Sequence, residues 1–258
     1  MSLPRWPGWV VFHLPRDATA IPKDVREQFL VSEAALANEI AQRTAHCSFE
    51  LFASTAPEHQ VVRAAVSPLV LDFEPLELGE LRPTTAFGQV AGATLDTTRL
   101  RRELTALERE QLLDDFHYPQ QAWFATKVAL AIAAYGRCLV VNGGSFAASE
   151  PSFDIDERLA PLPEVRLGTD PDHTPKGVLE AFSTALQAAG WSVQVARAHE
   201  RALVPAQHYR LDRRVHCVAV ELNQKLYWDP SSGRVHRHFE SVQQQLARAL
   251  GSALQRLS

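Results

Sequence analysis

The sequence has few cysteines, and their spacing excludes the usual uses of that residue. Its 258 residues contain only three, Cys47, Cys138 and Cys217, which are too few and too far apart for a disulfide framework. There is no C-x-x-C pair, so the sequence carries no zinc knuckle of the kind that holds a structural metal. We therefore expect a protein that resides in a reducing compartment.

Two further absences bear on partners and location. Basic residues are not in excess, because 26 Lys and Arg stand against 30 Asp and Glu, a net charge of −4. No cluster of Lys and Arg marks a site for a nucleic-acid backbone. No apolar run reaches the length of a signal peptide or of a helix that crosses a bilayer. We therefore expect no nucleic-acid and no membrane partner, and a bacterial, cytoplasmic location.

What the sequence does have is an alternation of strand-like and helix-like segments. Hydrophobic residues make up 46% of the chain, which is enough for a buried core. Short apolar runs at Trp9–His13, Cys138–Val141 and Val215–Leu222 predict buried strands. Between them lie stretches with helix signals, such as Ser32 as a start and Gly136 as an end. The pattern predicts a layered α/β fold, formed by a single domain over residues 1–258.

Four local predictions depend on this pattern. Residues 104–135 are expected to form two helices joined at His117–Pro119. Leu69–Leu71 is expected to be part of a strand that continues through Asp72 and Glu74. Residues 147–172, rich in Pro, Asp and Glu, are expected to form a long loop. The tryptophans are expected to lie mostly in the core: Trp6, Trp9, Trp123, Trp191 and Trp228.

The best placed candidate for chemistry follows the strand Cys138–Val141. Asn142-Gly143-Gly144-Ser145-Phe146 reads as a glycine turn at the carboxyl end of a central strand, where α/β sheets usually hold their sites. The backbone amides of such a turn are available to bind an anion. Ser145 also resembles the nucleophile of a G-x-S-x-A elbow, but no helix is predicted after it. A tight turn that needs small residues is the favoured interpretation.

Carboxylates and histidines supply further candidates. On a strand, Asp72 and Glu74 would share a face, and such a pair could do acid–base work or bind a metal. His46-Cys47 and His216-Cys217 are adjacent pairs, which point in different directions and suit a single ion poorly. His236 and His238 lack a third ligand nearby.

Six short segments then stand in a characteristic order. They are His13–Asp17, Val66–Leu76, Leu100–Arg101 together with Tyr118–Gln121, Asn142–Phe146, Leu167–Pro175 and Val220–Asp229. In this order they resemble the motifs of the N-formylglutamate amidohydrolase family, zinc-dependent bacterial hydrolases of N-acyl amino acids. The resemblance covers about residues 10–230. It implies a three-layer α/β/α sandwich around a mixed, mostly parallel β-sheet, of the phosphorylase/zinc-peptidase-like amidohydrolase type.

The sequence departs from this family where the resemblance places the metal. The family's zinc is expected from two histidines and a glutamate, and those positions here are Arg16, Gly144 and Glu74. An arginine puts a fixed positive charge where the cation would sit. Glu74 is then a vestigial ligand, and we expect no metal or other cofactor. Arg16 and Glu74 are candidates for an ion pair in place of the metal.

The positions that the resemblance assigns to the substrate are also changed. Pro68 and Pro75 stand where the family has arginines for the substrate carboxylate, and Gln120 and Gln121 stand where it has two helix-end histidines. Framework residues of the same motifs are kept. This selective loss suggests a protein that has been retained for its shape.

Three functions remain open from the sequence. The leading one is a family member that has lost hydrolysis and serves as a non-catalytic binding or scaffolding protein for another protein. The second is an active hydrolase rebuilt around a different ion by His13, Asp17, Asp72 and Glu74, or around Ser145 without one. The third is a sensor that binds a small acidic metabolite in the old pocket.

The candidate residues for these functions form two sets. The catalytic candidates are Glu74, Asp72 and Ser145. The pocket candidates are His13, Arg16, Asp17, Gly143, Gly144, Arg101 and His173.

Overall fold

The computed structural model describes residues 5–73, 90–147, 162–195 and 202–258. The strands of its main sheet are β1 (Val10–Leu14), β2 (Val61–Arg63), β3 (Cys138–Phe146), β4 (Val165–Gly168), β5 (Val193–Val195) and β6 (Val215–Asn223). They stand side by side in the order β2-β1-β3-β6-β4-β5. A separate antiparallel ribbon is formed by β7 (Trp228–Asp229) and β8 (Arg234–Val235).

Helices occupy much of the remaining chain. In the described ranges they are α1 (Lys23–Arg26), α2 (Glu33–Arg43), α3 (Ala106–Leu112), α4 (Tyr118–Tyr135), α5 (Lys176–Ala188) and α6 (Phe239–Gln255). No helix in these ranges combines the length and the apolar character needed to cross a membrane.

The sheet is mixed but mostly parallel. The pairs β1–β2, β1–β3, β3–β6 and β4–β5 are parallel, and only β4–β6 is antiparallel among the described strands of the main sheet. The register places Gly144 of β3 beside Glu221 of β6, and Glu221 beside Arg166 of β4. The carboxyl ends of β1, β3 and β6 therefore meet at one edge of the sheet.

Both faces of the sheet are covered. Alternate residues of β3 and β6, such as Val141 and Val220, pack with Phe182 of α5 and Leu250 of α6. The opposite residues, such as Val140 and Cys217, belong to a second cluster that Phe124 and Val128 of α4 complete. Alternation along a strand sends successive side chains to opposite faces, so each strand serves both clusters. The predicted three-layer α/β fold is confirmed.

Several local predictions hold for stated physical reasons. The Ser32 side chain accepts a hydrogen bond from the backbone N–H of Ala35 at 3.2 Å, and α2 begins after it. Gly136 ends α4 in the left-handed region at a φ of 71°, which glycine adopts without strain. The two helices expected within residues 104–135 are α3 and α4, but they are joined by a π-helical turn at Leu113–His117, and Tyr118 and Pro119 of the expected joint already belong to α4.

Three predictions are wrong. Leu69–Leu71 is a turn followed by irregular chain, so Asp72 does not continue a strand, and Glu74 lies outside the described residues. The loop expected at residues 147–172 contains strand β4, which is fully buried. Trp123 was expected to lie mostly in the core but is 52% exposed on the outer side of α4.

The prediction of a glycine turn after residue 141 is also wrong. β3 continues through Asn142, Gly143 and Gly144 to Phe146, and neither glycine has a positive φ. Gly143 is required by packing instead: a Cβ there would lie 2.7 Å from Cγ of Phe52 and 2.8 Å from Cδ2 of Leu14. Both neighbours are fully buried and leave no room for a methyl group. The glycine thus allows the Phe52 segment to press directly onto the sheet.

This packing predicts opposite results for the two neighbouring glycines. Gly143→Ala is expected to lower the free energy of unfolding by about 1–3 kcal/mol, because Phe52 must shift in a close-packed core. Gly144→Ala is the matched control, since its Cβ would only reach ordinary contact, 3.6 Å from Oε1 of Glu221. We expect its stability to be unchanged or slightly higher. Urea unfolding of both variants checks this, and equal stabilities would contradict it.

Candidate functional site

A cleft opens at the edge where β1, β3 and β6 end. Its volume is about 440 Å³, including space open to solvent. It is lined by Pro15, Arg16, Ala45, Asn142, Gly143, Gly144, Ser145, Leu203, Ala219 and Glu221. Because β1, β3 and β6 are parallel neighbours, residues from distant parts of the sequence converge here. The cleft includes Arg16, Gly143, Gly144 and Ser145 from the residues singled out in the sequence.

Arg16 makes an ion pair with Asp72. Its Nη2 lies 2.8 Å from Oδ2 of Asp72 and its Nε lies 3.4 Å from Oδ1, so the guanidinium meets the carboxylate with two nitrogens. The two side chains are 27% and 14% exposed, which limits screening by water. The two-point contact fixes the orientation of the arginine at the mouth of the cleft.

A second ion pair lies close to the first. Arg43 donates from its Nε to Oε2 of Glu39 at 3.0 Å, and both side chains are almost buried. Burial lowers the pKa of Arg43, while the neighbouring carboxylates of Glu39 and Asp72 oppose that shift. The carboxylates therefore act on Arg43 as well as on Arg16. Two arginines and two carboxylates form a charge-balanced group beside the cleft.

Asn142 lines the cleft and contacts His13, which is buried and not itself among the lining residues. Its Nδ2 donates to Nδ1 of His13 at 3.0 Å and to the carbonyl of Leu203 at 3.3 Å, while its Oδ1 accepts from the N–H of Leu203 at 2.6 Å. Since Nδ1 accepts, the imidazole carries its proton on Nε2. This Nε2 is buried and has no hydrogen-bond partner in the described part of the chain.

His13 is a buried neutral imidazole. It stacks on the ring of Phe124 with 4.2 Å between the centroids, and only 1% of the residue is exposed. Burial lowers the pKa of His13 to about 3, because water no longer solvates the charged form. The side chain is therefore uncharged at neutral pH.

Ser145 lies within strand β3 and not on a strand-to-helix elbow. Its hydroxyl accepts a hydrogen bond at 3.1 Å from Nε2 of Gln224, which also donates to the carbonyl of Thr44 at 3.0 Å. A nucleophilic serine needs a base that takes its proton, and an amide donor cannot do this. The contact makes Ser145 a link between β3 and the chain around Thr44.

Four of the pocket candidates are not among the residues that line the cleft: His13, described above, and Asp17, Arg101 and His173. Asp17 accepts from Nε of Arg63 at 2.5 Å and from the N–H of Ala64 at 3.2 Å, which ties the end of β1 to the end of β2. Its carboxylate is 2% exposed, and burial raises its pKa against the opposing effect of Arg63. Asp17 thus has a structural role.

Arg101 and His173 also hold backbone in place. Arg101 donates from Nη2 to the carbonyl of Leu69 at 2.6 Å, and burial lowers its pKa to about 10. Nδ1 of His173 contacts the carbonyl of Val215 at 2.8 Å, and its Nε2 accepts from the N–H of Arg210 at 2.8 Å. Val215 begins β6, so His173 lies at the opposite end of that strand from the cleft.

Two polar residues of the cleft lining, Asn142 and Glu221, were not among the sequence candidates. Asn142 interrupts an apolar strand with an amide, and a polar side chain in such a run was the available signal. Glu221 is a carboxylate within the mostly apolar β6 and lies in the segment Val220–Asp229. Its approach to Gly144 depends on the β3–β6 register, which the sequence does not state.

Comparisons with known proteins agree with the architecture. The sequence model of the N-formylglutamate amidohydrolase family matches residues 9–228. The chain belongs to the N-formylglutamate amidohydrolase family.

Solved structures are similar over nearly the whole chain. The crystal structure of N-formylglutamate amidohydrolase from Ralstonia eutropha JMP134 has a TM-score of 0.78 and 17% identity, covering 96% of this chain and 94% of that one. A gene product of Agrobacterium tumefaciens has a TM-score of 0.66 and 16% identity, covering 97% and 92%. No curated protein matches the sequence. At these identities the likeness shows the shared fold.

The residues at the expected metal position do not fit the zinc ion that the family resemblance implies. Arg16 is engaged with Asp72, and Gly144 has no side chain to offer. His13, Asp17 and Asp72 contact three different partners and do not converge. Across the described residues, no three His, Cys, Asp or Glu side chains come together to hold a metal ion. Glu74, the third position, lies outside those residues.

The buried His13 predicts a specific dependence of stability on pH. Between its folded pKa of about 3 and its ordinary value of 6.5, the unfolded chain takes up a proton that the folded chain does not. His13 therefore has its full stabilising effect on the free energy of unfolding above pH 6.5. That effect is lost progressively as the pH falls from 6.5 towards 3. At pH 4.5 we expect a loss of roughly 2–3 kcal/mol from this group.

The test compares the wild type with His13→Asn, which keeps an acceptor for Asn142 and cannot be protonated. Urea unfolding at pH 7.5 and 4.5 gives the free energy of each. We expect the variant to be less stable at pH 7.5 and the difference to shrink at pH 4.5. A difference that does not change with pH would show that His13 is not a buried neutral group.

Proposed function

We propose that this chain has lost the zinc-dependent hydrolysis after which its family is named and acts as a non-catalytic binding protein. The observation that carries the proposal is the ion pair between Arg16 and Asp72. It puts a guanidinium, which keeps its charge at all physiological pH values, where the family resemblance expects a zinc ligand. The ion pair as a whole gives a cation no net attraction, and the guanidinium has no lone pair with which to bind a metal.

The neighbouring position supports the same proposal. Gly144 supplies no ligand, and the site of its missing side chain faces the carboxylate of Glu221, with 3.6 Å between the ideal Cβ and Oε1. A catalytic zinc site keeps three protein ligands and one open position for water. Two of the three expected ligands are replaced here, so the chemistry that depends on activated water has no support.

Rebuilding the site from other residues has less support. A different ion would need His13, Asp17 and Asp72 to approach each other, and their hydrogen bonds direct them to Asn142, Arg63 and Arg16. The serine route needs a base, and Ser145 accepts from an amide. The second candidate function is the binding of a small acidic metabolite, because Arg16 is among the residues that line the cleft. Asp72 competes with any such anion for the guanidinium.

The proposal predicts that the purified, untagged chain hydrolyses neither N-formyl-L-glutamate nor other N-acyl amino acids in a chelator-sensitive manner. It also predicts that zinc does not stay bound in near-stoichiometric amount after dialysis, as measured by elemental mass spectrometry. Bound zinc together with hydrolysis that a chelator abolishes would overturn the proposal. A rise in melting temperature with L-glutamate, in the absence of hydrolysis, would favour the acidic-ligand candidate over a protein partner.

A restoration experiment tests the physical reason. The double variant Arg16→His/Gly144→His returns two imidazoles to the cleft and removes the fixed charge. We expect it to bind zinc at least about ten-fold more tightly than the wild type, because imidazole is a good zinc ligand and a guanidinium is none. Arg16→Lys/Gly144→Ala is the matched control and should match the wild type. Equal zinc affinity in all three proteins would show that these positions are not what prevents metal binding.

A further inference from the structure

The outer face of α4 is apolar and exposed. It consists of positions that share one side of the helix and are all exposed: Tyr118, Pro119, Ala122, Trp123, Thr126, Ala129, Leu130, Ala133 and Ala134. We call these nine residues the α4 face. None of them is Asp, Glu, Lys, Arg or His, whereas the solvent side of a surface helix normally carries charged residues. Among them Tyr118, Trp123 and Leu130 are 56%, 52% and 57% exposed.

The spacing within the α4 face is that of a helix–helix contact. Its residues recur at intervals of seven: Pro119, Thr126 and Ala133 form one series, Ala122 and Ala129 a second, and Trp123 and Leu130 a third. A seven-residue repeat keeps one seam of a helix directed at a partner helix, as in two-stranded coiled coils. The inner face of α4 already packs on the sheet through Phe124 and Val128. The repeat on the outer face is therefore a second seam.

Side-chain size along the seam permits close approach. The central line carries small side chains, Ala122, Thr126 and Ala133, and the bulky Trp123 and Leu130 flank it on one side. Small residues at a helix contact let the two backbones come near each other. Large apolar residues beside them supply most of the buried area.

We propose that the α4 face binds the same face of a second copy of this chain, around a two-fold axis at Thr126. Because Thr126 is a middle residue of the 18-residue helix, an axis there maximises the overlap of the two copies. A two-fold contact requires one surface to be complementary to itself. An uncharged seam meets this requirement, since no like charges oppose each other across the axis. A partner recognised through its charge would find nothing to bind on this face.

The side chain of Trp123 is already ordered in the single chain, before any such contact forms. Nζ of Lys127, one turn further along α4, lies 4.1 Å from the centre of the Trp123 ring and donates to the carbonyl of Glu58 at 2.6 Å. The ammonium group thereby fixes the indole against the helix. A side chain that is already ordered loses little conformational entropy when it is buried in an interface.

The area of the α4 face suits a weak but specific dimer. From the exposed fractions of its large side chains and the small residues between them, it offers roughly 600 Å² per protomer. Two copies would then bury about 1,200 Å², the lower limit of specific stable interfaces. We therefore expect a monomer–dimer equilibrium that depends on protein concentration.

The first experiment is sedimentation velocity of the full chain over roughly a hundred-fold range of concentration. The wild type is expected to shift from monomer to dimer. Trp123→Glu places a charge on the seam and should weaken dimerisation at least about ten-fold. Leu211→Glu is the matched control, because Leu211 is 79% exposed but belongs to a turn outside the α4 face. A wild type that stays monomeric, or a Trp123→Glu variant that dimerises as well as the control, would overturn the proposal.

The second experiment locates the axis. A cysteine introduced by Thr126→Cys lies opposite its own copy, so mild oxidation is expected to give a disulfide-linked dimer that reductant reverses. Glu180→Cys, on the exposed side of α5, should stay monomeric under the same conditions. The wild type, with its native Cys47, Cys138 and Cys217, gives the background. Thr126 is exposed and small, so folding of the variant is not at risk. Cross-linking no greater than in the Glu180→Cys control would rule out the axis at Thr126.

Discussion

The carboxamide of Asn142 is the contact on which the cleft depends. It is 5% exposed and meets three groups at once: the imidazole of His13, and the carbonyl and the N–H of Leu203. An amide buried without partners would cost about 1–3 kcal/mol, so these bonds are needed merely to place it there. Once made, they join β1, β3 and the Leu203 segment to one another. They also fix which nitrogen of His13 carries the proton.

The nature of this residue affects the charge of the whole site. An aspartate at this position would, as a charged neighbour, favour a protonated histidine. The neutral amide withdraws that support, and burial lowers the pKa of His13 to about 3. The contact between Asn142 and His13 is therefore uncharged, Arg16 and Asp72 neutralise each other, and Glu221 is the carboxylate of the lining. A neutral Asn142 and a cationic Arg16 thus act in the same direction, because neither offers negative charge to a cation.

The sequence predicted the parts of the fold that local signals determine. Apolar runs identified β1, β3 and β6, and Ser32 and Gly136 marked the ends of helices, because capping and left-handed backbone are properties of single residues. The glycine turn failed for the opposite reason. Gly143 is needed because Phe52, about ninety residues earlier in the chain, presses on the strand. No local pattern carries that information.

The same distinction applies to the site. The resemblance places Arg16 at an expected zinc-ligand position, and Glu74 was its proposed partner. Glu74 lies outside the described residues, and within them Arg16 makes its ion pair with Asp72. The turn at Leu69, whose carbonyl accepts from Nη2 of Arg101, precedes Asp72 in the chain. Arg101 and His173 were grouped with the pocket on family position, although their hydrogen bonds serve the backbone.

One helix connects the cleft with the surface on which a partner is proposed. Phe124 on the inner side of α4 stacks on His13, and Trp123 is the next residue back along the chain, on the outer side. Successive residues of an α-helix point about 100° apart, so these two neighbours contact the cleft's support and the proposed surface respectively. The α4 face points away from the sheet, so a second copy there leaves the cleft edge uncovered. The proposed loss of the metal would in this way leave both a shaped cleft and an interaction surface on the same core.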